Sequence, residues 1–144
     1  MNGTDDVRLN LLFFSVGGVC FGVDTEQVSG IAAYSGEQAD DLFWFHDEFN
    51  YNSVVTPYLS ATIVTIKTID MQPYRVVIDR MEAITEYSQD DILLFPPLLE
   101  PFAMRQGLWG LIPRHGRIVL LVDFQQLLKE RQRDVLLNVT CTHE

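Results

Sequence analysis

The 144-residue sequence predicts a mostly β fold, an all-β barrel or sandwich closed by one late helix. Three observations carry this prediction. Apolar, β-branched runs are short and recur between turn residues. Where their polarity alternates, it does so with the period of two expected of half-buried strands. Helical spacing is convincing only once, after Asp123. No internal repeat, low-complexity tract or linker divides the chain, so one domain is expected, with its core in about residues 9–134 and residues 135–144 as a tail or an extra strand.

The elements follow in order. Leu9–Val16 is an apolar run, and in Val19–Val23 the residues Val19, Phe21 and Val23 alternate with Cys20 and Gly22. Gly17-Gly18 between them supplies the positive φ of a hairpin turn. Asp24 and Thr25 offer caps for a short turn, with Val28 and Ile31 three apart on one face. Ala61–Thr68 is rich in β-branched residues and Tyr74–Asp79 follows across a tight connection, so the two read as a hairpin. Ala83–Tyr87 is a shorter strand. Pro96, Pro97 and Pro101 interrupt Ile92–Met104, which reads as an extended loop. Leu108–Pro113 and Arg117–Val122 form a further hairpin around Arg114-His115-Gly116. Asp123 caps the helix, Phe124, Leu127 and Leu128 give it an i, i+3, i+4 apolar face, and Arg131 and Arg133 suit its C-terminal dipole.

Charge narrows the function. Twenty acidic against ten basic residues give a net charge of −10. Nine of the acids and Arg8 alone among the bases lie in residues 1–50, whereas residues 101–144 carry four acids and six bases. Such a surface repels phosphate backbones, so nucleic acid is not an expected partner. No apolar run approaches the ~18 residues of a membrane span, and the acidic start MNGTDDVRLN does not resemble a secretory or mitochondrial leader. No membrane insertion and a cytoplasmic location are expected. Cys20 and Cys141 allow at most one disulfide and read as reduced thiols.

Catalytic chemistry is sparse. No Gly-x-Gly-x-x-Gly, phosphate-binding loop or Gly-x-Ser-x-Gly elbow occurs. His46, His115 and His143 stand apart in sequence, and the doublets Asp5-Asp6, Asp40-Asp41 and Asp90-Asp91 sit beside turns, where capping and solvation account for them. Asp79 and Asp123 each end an apolar strand. The expectation is a non-enzyme with no catalytic residue, cofactor or metal.

Leu42–Tyr51 packs five aromatics into ten residues. Leu42, Phe45 and Phe49 share a helical face and suit the core. Phe43, Trp44 and Tyr51 would then point elsewhere, as an acid-rimmed aromatic surface for a protein partner. The uncharged run Val135–Thr142 suits either a frayed end or an extra strand on a sheet edge, in this subunit or another.

The motifs in order resemble those of CheW-like domains, the coupling modules of bacterial chemotaxis. FSVGGVCFGVDTEQVSGI resembles the family's opening hairpin, strand ending in an acid, and Val-x-x-Ile turn. PYRVVIDRMEAITEY is similar to its strand ending in Val-Asp with the strand that follows, and DDILLFPPLLEP to its Ile-x-x-Pro-Pro connection. GLWGLIPRHGRIVLLVDFQQLL resembles its closing hairpin and helix. The resemblance covers roughly residues 12–30 and 61–128. It implies two interlocked SH3-like β-barrels with a C-terminal helix, and a non-enzymatic adaptor that bridges chemoreceptor tips to the regulatory domain of a CheA-type histidine kinase. The chain departs from the pattern between Ala32 and Asn52, where the family's Gly-x-x-Asn-x-Arg-Gly segment has no counterpart. A reduced first barrel is the expected consequence, with open edges and apolar surface suited to a homodimer. Two other readings stand beside the adaptor: a CheW-like homodimeric accessory protein that no longer couples receptor to kinase, and a small-ligand-binding barrel or an enzyme built from scattered carboxylates with His46 or His115.

Overall fold

Gly17 and Gly18, at φ 60° and 83°, turn the chain between β1 (Arg8–Val16) and β2 (Val19–Asp24), which pair antiparallel with Val16 against Val19. The computed structural model describes residues 7–48 and 58–130. The Asp24 side chain accepts the Glu26 N–H and caps a single 3-10 turn, Thr25–Gln27. The chain then enters β3 (Val28–Ala33), β4 (Leu42–Trp44) and the one-turn helix α1 (Phe45–Glu48). Beyond these come β5 (Thr62–Ile66), β6 (Arg75–Ile78), β7 (Ile84–Ser88), the short helix α2 (Glu100–Arg105), β8 (Leu108–Arg114), β9 (Arg117–Val122) and the helix α3, residues 124–130.

The strands form two sheets, β7-β1-β2-β9-β8 and β3-β5-β6-β4. Neighbours pair antiparallel except β2 with β9 and β4 with β6, which are parallel. The absence of alternation in Leu11–Phe14 is explained by burial on both faces of β1. Leu12, Phe14 and Val16 face a core shared by both sheets, which also holds Phe45, Val64, Tyr74, Val76 and Phe124. Leu11 and Phe13 face a second core with Ile92, Ile112, Val119 and Leu121. One sheet between two cores gives the mostly β, double-barrel architecture with a C-terminal helix that the sequence predicts.

Three elements differ from the sequence expectation. Val28 and Ile31 do not share the face of a turn; they lie in β3, paired with β5. Leu42 does not share a helix with Phe45. It opens β4, and strand alternation brings Phe43, in place of Leu42, against the core. The segment that departs from the family pattern thus contributes a wall strand, held to β6. Residues 92–104 are not one extended loop: Leu93 exchanges two backbone hydrogen bonds with Leu111, each 2.9 Å, and residues 100–105 are helical. Pro101 lies in the first turn of α2, where its missing N–H has no partner to lose. Asp5-Asp6, Phe49, Tyr51, Arg131, Arg133, Cys141, His143 and the run 135–142 lie outside the described residues.

Candidate functional site

Two surfaces collect side chains that packing alone does not require. The first is the aromatic group around β4. Phe43 lies at the margin of the core, its ring 5.6 Å from that of Tyr74. Trp44 points to the other side and sits edge-on between Tyr34, at 5.2 Å, and Tyr58, at 4.9 Å. The His46 N–H donates to the Tyr58 hydroxyl at 3.2 Å, and His46 Nδ1 lies 3.0 Å from the same oxygen. Burial pushes the Tyr58 phenol up to about 12, so it stays protonated and hydrogen-bonding at neutral pH. Burial likewise raises Tyr74, whose hydroxyl donates to Glu48 at 2.8 Å. Of the three residues that the sequence nominates for partner binding, Phe43 and Trp44 are therefore neighbours on β4, both half-buried, and Tyr51 is outside the described residues.

The second surface was not singled out from the sequence. The proline-rich segment and α2 present Leu94, Leu98, Leu99, Phe102 and Met104 to solvent, with Leu98 82% and Phe102 60% exposed. Leu94 and Met104 also line a groove of about 260 Å³ together with Phe95, Leu108 and Trp109, and with the polar Glu100 and Asp123. Arg105 lies 5.4 Å from the centroid of the Phe102 ring. So many large apolar side chains exposed along one short segment make it a candidate interaction surface. The signal in the sequence is LLFPPLLEPF itself: prolines prevent the run from being a buried strand, so its apolar side chains have to face outward or find a partner.

The groups considered for chemistry do not converge. His46 belongs to the Trp44 cluster and His115 to the β8–β9 turn, at φ 52°. Asp90 and Asp91 lie in a 3-10 turn capped by Ser88. Asp79 is buried and its carboxylate accepts the backbone N–H groups of Leu59 at 3.1 Å and Ser60 at 2.6 Å, a structural role. Asp123 Oδ1 accepts the Gln126 N–H as the cap of α3, and also the Gln27 side-chain amide. Among the described residues no three His, Cys, Asp or Glu side chains are placed to hold a metal ion, and no helix is long and apolar enough to cross a membrane.

No protein-family model matches the chain, and no curated protein sequence matches it. In structure the chain is similar to the scaffolding protein TtCheW from Thermoanaerobacter tengcongensis, with a TM-score of 0.62 over 84% of this chain and 92% of that one, at 10% identity. The likeness is one of fold: the double barrel built here by two sheets is that of a CheW scaffold.

Proposed function

We propose that the protein is a non-enzymatic adaptor of a chemotaxis-type signal transduction system, binding a CheA-type histidine kinase regulatory domain, a chemoreceptor, or both. The observation that carries the reading is the apolar face of α2 on a fold shared with a scaffolding protein. The face is almost uncharged, with Glu100 and Arg105 as the charges of its helix. An apolar surface of that kind suits a long-lived interface more than a charge-steered encounter, so its occupant is the kinase regulatory domain. Trp44 with Tyr34 and Tyr58, on a different sheet, offers a second partner a separate place to bind.

The test is titration calorimetry of the purified protein against the kinase regulatory domain and a receptor tip from its own organism. Leu98→Ser with Phe102→Ser is expected to weaken kinase binding by at least about tenfold, or about 1.4 kcal/mol, with the circular dichroism unchanged. Trp44→Ala is expected to weaken the second partner selectively. Absence of binding to either partner overturns the adaptor reading, and full affinity in the α2 variant overturns the choice of surface.

A further inference from the structure

A sheet edge exposes unpaired backbone N–H and C=O groups, and most edges are shortened, charged or covered. The outer side of β8 is bonded to Leu93, β4 is three residues long, and β7 carries Glu86, which pairs with Arg8. β3 differs from all of these. It has one strand neighbour among the described residues, β5, and residues 28–35 contain no charged side chain. Ile31 is 43% exposed, and Ala32 and Ala33 are exposed although they point to opposite faces.

The register fixes which backbone groups are free. Tyr34 donates its N–H to Ala61 at 3.1 Å, and Ala33, Ala32 and Ile31 stand opposite Thr62, Ile63 and Val64. Antiparallel strands alternate between bonded and non-bonded pairs. Counting from Tyr34, Ala32 bonds inward to β5, while Ile31 and Ala33 turn their N–H and C=O groups outward. These are two donors and two acceptors spaced two residues apart. We propose that β3 is a homodimer edge, two copies pairing this strand antiparallel about a two-fold axis at Ala32.

In that arrangement Ile31 of each copy stands opposite Ala33 of the other, and the four outward groups of each strand are satisfied by four hydrogen bonds. Only small side chains, Ala32 against Ala32, meet at the axis. Charge explains why the occupant is a second copy. At a net charge of −10 most surfaces of this protein repel their own kind, and an uncharged strip is what two copies can share. A register shift between Val28 and Gly30 limits the flat stretch to about one short strand, so the dimer is a weak one.

Sedimentation velocity across a concentration series tests this. The wild-type protein is expected to pass from monomer to dimer with a midpoint of about 10–100 μM. Ala33→Pro removes an outward N–H and no bond to β5, and Ile31→Lys adds a gatekeeper charge to the edge; each is expected to raise the midpoint at least about tenfold with the fold intact. Hydrogen exchange adds a readout free of mutation: the amides of Ile31 and Ala33 are expected to slow as wild-type concentration rises. A wild-type protein still monomeric at about 1 mM overturns the proposal and leaves the edge to a strand from another protein. So does a dimer unaffected by both substitutions, or one whose Ile31 and Ala33 amides exchange at an unchanged rate.

Discussion

Gly107 shows how tightly single positions are held. Its φ is 76°, and a Cβ placed on it would lie 2.5 Å from Leu127 Cγ on α3. Its carbonyl also accepts the Asp123 N–H at 2.7 Å, where α3 begins. Gly107→Ala thus combines backbone strain with overpacking and is expected to cost about 2–4 kcal/mol in urea unfolding. Gly18→Ala is the comparison. Its φ is 83° but nothing lies within 4 Å, so about 1–2 kcal/mol of strain is expected. Equal losses in the two variants would show that α3 yields readily at Leu127. Glycine roles split the same way in the reading of the sequence. The Gly17-Gly18 turn was legible because its cause is local, whereas the demand on Gly107 comes from a side chain twenty residues further along the chain.

Among the elements, β4 depends on a tether that titrates. Arg75 grips Asp41 with Nε to Oδ2 at 2.7 Å and Nη2 to Oδ1 at 3.0 Å, and its own N–H bonds to the Asp41 carbonyl at 2.9 Å. The hydrogen bonds from Arg75 hold the Asp41 carboxyl below its usual range. The folded protein therefore binds that proton less readily than the unfolded chain does. Its stabilisation is complete above the ordinary carboxylate pKa of about 4 and disappears as pH falls through the lowered value. Asp41→Asn is expected to lower the Tm at pH 7, and the gap between variant and wild type is expected to close in acid. Thermal melts from neutral to acidic pH measure it, and a gap independent of pH would sink this account. The same element shows where sequence reading stops. The hairpins β1–β2 and β8–β9 turn in two residues and β5–β6 across residues 67–74, each with visible turn residues, and all three appear in the sequence. β4 is three residues long and pairs parallel with a strand 33 residues onward, so no local pattern announces it. β3 begins after a capped turn, where Val28 and Ile31, three apart, fit helical spacing, and the register shift between Val28 and Gly30 breaks the alternation that would mark a strand. In α2, Pro101 reads as a breaker because a proline in the first turn and one in mid-helix look alike until the helix start is known. The candidate site was half legible for the same reasons. The Phe43–Trp44 cluster is dense in sequence, whereas the α2 face is assembled from residues that sequence reading assigns to a loop.

On the scale of the whole molecule, Phe45 joins the two sheets. Its ring meets Phe14 at 5.1 Å and Phe21 at 4.7 Å from one sheet, and Phe124 at 6.0 Å from α3, while its backbone continues β4 of the other sheet. Phe45→Ala is expected to cost about 3–5 kcal/mol. Because the shared core includes both sheets, the loss should appear in one cooperative transition, with tryptophan fluorescence and circular dichroism coinciding. Separate transitions would mean that the sheets unfold independently. The parallel pairing of β2 with β9 has a further consequence, for the birth of the chain on the ribosome. Cys20 waits for Val119 and Val23 for Val122, so the β2 side of the first hairpin stays uncovered until about 100 more residues have been synthesised, after β7 has already become available to β1. At about 5–20 residues per second that is an interval of about 5–20 s. During it the open side of β2 is apolar strand edge without its partner, the kind of surface that a chaperone at the ribosome exit would shield.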